Sequence, residues 1–237
     1  MPFIKKELLE HDPKEKVDFY LTFEGDSSEN TSRGALLREI NEACKEEFKW
    51  GLKLAKALKQ RDKWSAGLWT PLLRGWQDYE FSKDEWKQLF DFLDNDSLIE
   101  HRSEELSQLL VKLIRKGKNS LPKEYFEVAD QLAVHIWEEL EKTEESVEEI
   151  DYTESPVFKA RNSTAGDLTL FWLNVIEKEN KSEADLQGIP ERYQKRLARI
   201  VSNRSTCSKH GQMLLGENLN FLFSVDPSWS KNNLLPL

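Results

Sequence analysis

Apolar side chains recur every three to four residues along most of this chain, and that spacing places them on one face of an α-helix. Strict alternation of apolar and polar residues, the pattern of a half-buried β-strand, is almost absent. The pattern therefore predicts an all-α protein. The clearest apolar stripes are Trp69, Leu72, Leu73 and Trp76; Trp86, Leu89, Phe90 and Leu93; Leu106, Leu109, Leu110 and Leu113; and Leu168, Phe171, Trp172 and Val175.

Polar residues and prolines mark where several of these helices begin. Ser82 and Glu85 fit the Ser-x-x-Glu capping box, and Pro122 and Pro190 suit the start of a helix. The last third of the chain predicts three helices, at about 165–180, 190–202 and 206–224.

The stretch NSTAGDLTLFWLNV, at 162–175, sets a polar turn with a glycine directly before an aromatic run. Glycine and hydroxyls beside a helix N-terminus suit an anion site, but an acidic residue in the first turn repels phosphate. Thr164 and Asp167 also fit a helix capping pattern, and an acidic first turn suits the helix dipole. We therefore predict a helix cap at Thr164 rather than a ligand site.

The domain organisation follows from where the helical pattern starts and where it is interrupted. Residues 1–34 form an ambiguous segment that ends in a polar linker, because VDFYLTF at 17–23 fits either a strand or the end of a helix. Residues 35–237 are predicted to form a helical domain with a flexible acidic loop near 142–156. Short connections favour antiparallel pairing, which indicates an irregular α-solenoid or serial antiparallel helical hairpins.

Charge and cysteine content narrow the classes of partner. The formal net charge of -9 argues against nucleic acid, whose binding domains present a basic face. We interpret the local basic cluster of Lys195, Arg196, Arg199 and Arg204 as a solvated helix face. No apolar run is long enough to span a membrane, and the N-terminus has no signal-peptide pattern. Two cysteines without a disulfide or metal-binding spacing fit a reduced, cytoplasmic setting.

Candidate chemistry is sparse. No recognised catalytic, nucleotide-binding or zinc-binding motif occurs, so we predict no catalytic, cofactor-binding or metal-ligating residue. An enzymatic alternative is a hydrolase or transferase site assembled from scattered residues such as Cys207, His210 and a glutamate. Trp64 and Trp229 lie at predicted helix boundaries or loops. Because tryptophan is enriched at binding hot spots, these two are predicted partner contacts, and the acidic loop at 142–156 is a third.

Three segments of the C-terminal third carry a family resemblance: NSTAGDLTLFWLNVIEKE, GIPERYQKRLARIVSN and the closing F-L-F-x-x-D-x-x-W…LLP pattern. They resemble a C-terminal helical domain of unknown function found on large bacterial sirtuin-like proteins, many of them linked to antiphage defence. Ser163 and Thr164 depart from the family, which tends to have His and Pro there. With SAGLWTPLLRGW at 65–76, the resemblance covers about 35–237. The closing pattern falls on Phe221, Leu222, Phe223, Asp226, Pro227, Trp229, Leu234, Leu235 and Pro236.

The resemblance implies that this chain is a piece of a longer protein with an NAD-hydrolysing, sirtuin-like domain upstream. None of that domain's glycine-rich fingerprint is present here, so no catalytic residue carries over. The implied role is a non-catalytic helical sensor, interaction or regulatory scaffold. Its partner would be a protein: a phage component, the catalytic domain of the same protein or another protomer. A plain structural spacer between two domains is a further alternative.

Overall fold

A computed structural model describes residues 5–25, 32–115, 117, 120–143, 155–182 and 188–235 of the chain. These residues form α-helices and no β-strand, which confirms the all-α class; the finer prediction of a solenoid or serial hairpins stays a prediction. The helices are α1 (Lys5–Leu9), α2 (Pro13–Thr22), α3 (Arg33–Glu46), α4 (Phe48–Gln60), α5 (Trp69–Asp78), α6 (Lys83–Leu93), α7 (Asp96–Arg115), α8 (Phe126–Thr143), α9 (Pro156–Arg161), α10 (Thr164–Ser182), α11 (Glu191–Ser202), α12 (Thr206–Glu217), α13 (Leu219–Val225) and α14 (Pro227–Asn233).

The described part of the ambiguous N-terminal segment is helical over Lys5–Leu9 and Pro13–Thr22, whereas residues 26–31 of the predicted polar linker lie outside the described residues. Asp12 caps α2 by accepting the Lys14 N–H at 2.9 Å, and Pro13 fills the first turn. VDFYLTF therefore belongs to α2 and its C-terminal end rather than to a strand, with Val17 and Tyr20 buried. The indole of Trp50 on α4 also donates to the Leu8 carbonyl at 3.0 Å, so α1 is fixed to the same core.

Close contacts divide the chain into two compact units, Met1–Leu109 and Leu110–Leu237, with the boundary inside α7. In the first unit, α3 packs most extensively on α5, the next helix but one. Gly75 permits that approach, because a Cβ there would stand 2.6 Å from the Asn41 carbonyl oxygen and 2.6 Å from the Cys44 Cβ. The aromatic rings of Phe48, Trp69 and Trp76 are fully buried in this core.

In the second unit, α10 packs against α8 and α12. Trp137 and Trp172 lie with ring centroids 5.7 Å apart in the centre of this unit. Gly211 on α12 lets the helices approach closely, since a Cβ there would stand 2.6 Å from a methyl carbon of Ile200. The predicted helices at about 165–180 and 190–202 are confirmed as α10 and α11, whereas the one at 206–224 is divided at Asn218 into α12 and α13.

The turn before α10 is a cap, but not at the predicted residue. Ser163, rather than Thr164, accepts the Gly166 N–H at 3.0 Å, and Thr164 already belongs to the helix. The glycine has a packing role as well: a Cβ on Gly166 would stand 1.9 Å from the Ala160 carbonyl oxygen at the end of α9. The Ser82–Glu85 capping box is confirmed, with the Glu85 carboxylate accepting the Ser82 N–H at 2.9 Å. Of the predicted acidic loop, residues 144–154 lie outside the described residues.

Candidate functional site: a groove between two helices of the first unit

An open groove of about 790 Å³ runs between α3 and α5. Its floor is apolar, with Leu37 half-buried and Pro71 buried, and polar side chains stand along its edges. This α3–α5 groove is lined by Gly34, Leu37, Arg38, Glu39, Asn41, Glu42, Gly67, Thr70, Pro71 and Arg74.

The two helices that form the groove run in the same direction. The Asn41 side-chain amide donates to the Pro71 carbonyl at 3.0 Å, and further along the two helices Lys45 pairs with Asp78 at 3.5 Å. Between these two contacts lies the close approach at Gly75. Both helix N-termini therefore open at the same end of the groove.

Exposed glycines stand at that open end. A Cβ on Gly67 would meet nothing within 4 Å, and one on Gly34 only the Ser32 hydroxyl at 3.7 Å. The backbone is bare at both positions, so the main chain of a bound segment can approach it closely.

A single arginine holds the loop that enters α5. Arg102 interrupts the helical geometry of α7 with φ -138° and ψ 26°. Its guanidinium donates to the carbonyl oxygens of Trp64 at 2.8 Å and Ala66 at 2.9 Å. The Trp69 indole adds a bond to the Lys63 carbonyl at 2.9 Å. Three side-chain bonds therefore fix a loop that has no regular structure of its own.

The same arginine is linked to the groove lining through Glu105. Arg102 and Glu105 form an ion pair at 3.2 Å with side chains 13% and 15% exposed. Glu105 also accepts the hydroxyl of Thr70 at 2.7 Å, and Thr70 lines the groove. This wall of the groove is therefore built before any ligand arrives.

Charges are distributed unevenly around the groove. On the edge beside α1, the Glu39 carboxylate accepts the Lys5 backbone N–H at 2.8 Å, and the Lys5 ammonium pairs with Glu46. The hydrogen bond that the Lys5 ammonium donates to Glu46, followed by the negative charges of Glu46, Glu42 and Glu39, raises the pKa of Lys5. Lys5 therefore places a positive charge beside the acidic residues of this edge. On α5, Arg74 is exposed and has no ion pair within the described part of the chain.

The two tryptophans predicted as partner contacts occupy different environments in different units. Trp64 is only 8% exposed, and its ring stacks on Trp69 at a centroid distance of 5.7 Å. The Trp64 ring therefore packs inside the fold, and little of its surface is left for a partner. Trp229 is half-buried, and its backbone N–H donates to the Asp226 carboxylate at 2.9 Å, so the Asp-x-x-Trp spacing serves as the cap of α14. A partner contact at either ring stays a prediction.

The interpretation of the basic cluster as a solvated face is wrong for Arg196 and Arg199. Arg196 pairs at 3.1 Å with Asp130, a buried residue of α8 whose carboxylate also accepts the Trp172 indole at 2.8 Å. Arg199 pairs with both Glu138 and Glu141. Successive helical turns carry these arginines onto acidic partners that are distant in sequence, which periodicity does not reveal. The sequence interpretation holds for Lys195, which is largely exposed and pairs with the equally exposed Glu191 of its own helix.

Buried polar atoms extend this charged layer. Arg192, one turn before Arg196, pairs with the buried Glu179 of α10. Its Nε atom and the adjacent Tyr193 hydroxyl are buried with no hydrogen-bond partner among the described residues. Burial is the largest influence on Tyr193 and raises its pKa. The layer joins α11 to α8 and α10, and it leaves the basic cluster little free charge for an anion.

The residues of the enzymatic alternative share α12. Cys207 is 5% exposed, and its sulfur lies 3.1 Å from the Ser205 hydroxyl; His210 is half-buried one turn later. Among the described residues, no group of three His, Cys, Asp or Glu side chains is placed to hold a metal ion. Nor does the described part contain a helix with the length and apolar character needed to cross a bilayer.

Sequence reasoning did not find the groove, although SAGLWTPLLRGW contains Gly67, Thr70, Pro71 and Arg74. The sequence does contain one signal for a close helix approach with an open end: the glycines at 67 and 75, which the apolar stripe alone does not explain. Comparison with known proteins adds nothing to the geometry: no protein-family model matches the chain, and searches of curated proteins and of solved structures find no match.

Proposed function

We propose that this chain is a non-catalytic helical interaction module and that its α3–α5 groove binds a segment of another protein. The observation that carries the proposal is an open, apolar-floored groove of about 790 Å³. Clefts of roughly 300–1,000 Å³ are the usual size for binding a small ligand or a few side chains. Groove binding of a peptide or helix places a few apolar anchors on such a floor.

Pre-organisation supports this role. The wall at Thr70 is fixed through Glu105 and Arg102, and the floor at Pro71 is fixed by the bond from Asn41. A partner that enters a groove already built loses less conformational entropy than one that must order the loop. Bare backbone at Gly34 and Gly67 leaves room for the partner's main chain.

The family resemblance supplies a context for the module. We propose that it serves as the sensor or regulatory part of a bacterial sirtuin-like antiphage protein. In that setting, the partner is a phage component, the catalytic domain of the same protein or another protomer. Sequencing the native locus on both sides of the chain tests this context, because an upstream frame encoding a glycine-rich nucleotide-binding domain is expected. A native start at Met1 contradicts it.

Site-specific photo-crosslinking in the native host tests the groove itself. We would replace Leu37 on the groove floor with a photoreactive phenylalanine and, as a matched control, exposed Lys87 on α6. The proposal predicts a discrete adduct from position 37 and none from position 87. Adding Gly67→Trp, which fills the open end of the groove, should abolish that adduct. The same bands at both positions, or an adduct that survives Gly67→Trp, contradict the proposal.

A further inference from the structure

We draw no further inference here: the strongest candidate, the layer of ion pairs with which Arg192, Arg196 and Arg199 join α11 to α8 and α10, belongs to the packing of the second unit, and nothing in the described residues shows a ligand, a partner or a second arrangement for it.

Discussion

The guanidinium of Arg102 donates to the backbone carbonyl oxygen of Trp64 at 2.8 Å. This bond ties a kink in α7 to the loop that leads into α5, and it does so from a side chain only 13% exposed. The interaction explains why an arginine lies at a break in helical geometry: the kink directs it at two loop carbonyls that water would otherwise have to satisfy. The groove wall depends on the same residue through Glu105 and Thr70.

Arg102→Met should loosen this loop. Removing charged hydrogen bonds of this kind costs about 2–3 kcal/mol when the acceptors are partly buried, so the free energy of unfolding should fall by that amount. Urea denaturation measures the fall, and amide exchange should accelerate between Lys63 and Leu68. Arg61→Met is the control, because Arg61 pairs with an Asp18 side chain that is 72% exposed and should cost less than about 1 kcal/mol. Equal losses for the two variants would show that Arg102 has no special structural role.

Gly75→Ala should separate α3 from α5. The added Cβ would stand 2.6 Å from the Asn41 carbonyl oxygen, and backbone cannot move aside as a flexible side chain does. Overpacking of this kind costs about 1–3 kcal/mol. Gly67→Ala is the matched change at an open position, where thermal unfolding should shift little. If Gly67→Ala lowers the unfolding temperature as much as Gly75→Ala does, the role of Gly75 is not to allow close packing of α3 on α5.

Two substitutions at Asp130 separate its charge from its hydrogen bond. Asp130→Asn keeps an acceptor for the Trp172 indole and should cost about 1–2 kcal/mol, because Arg196 is 29% exposed and can turn to solvent. Asp130→Ala also leaves the indole unsatisfied and should cost about 3 kcal/mol. Glu191→Ala breaks the exposed pair with Lys195 and should leave stability nearly unchanged, because solvent screens that pair. Equal stability of the Asn and Ala variants in chemical denaturation would rule out a role for the indole bond.

The capping box at Ser82 should make stability depend on pH. Burial raises the pKa of Glu85, but bonds from the Ser82 N–H, the Ser82 hydroxyl and Tyr79 outweigh it and hold that pKa below its usual value. A lowered pKa stabilises the fold above the unfolded value of about 4.3, and this contribution is lost as the pH falls through the folded pKa. The advantage of the native chain over Glu85→Gln should therefore shrink between roughly pH 6 and pH 3. A difference in unfolding free energy that stays constant over this range would contradict the assignment.

The sequence pattern predicts the fold class because helical periodicity is a local property. It also finds the capping box at Ser82 and the bounds of α11 closely, since both depend on neighbouring residues. It misplaces the cap of α10 because Ser163 and Thr164 have equivalent side chains, and only backbone geometry decides between them. Helical periodicity predicts a surface position for Arg196, because it cannot show a partner as distant in sequence as Asp130. The groove is missed for the same reason, since α3 and α5 are not successive helices.

Binding of a protein segment in the α3–α5 groove is tested most directly by calorimetric titration of the partner that cross-links through Leu37. The titration would compare the native chain with Gly67→Trp, whose added Cβ meets no atom within 4 Å, so that thermal stability should change little. We predict that affinity falls about tenfold or more in the variant, because the indole occupies the groove that the partner needs. Equal dissociation constants for the two chains would contradict the assignment of this groove as the binding site.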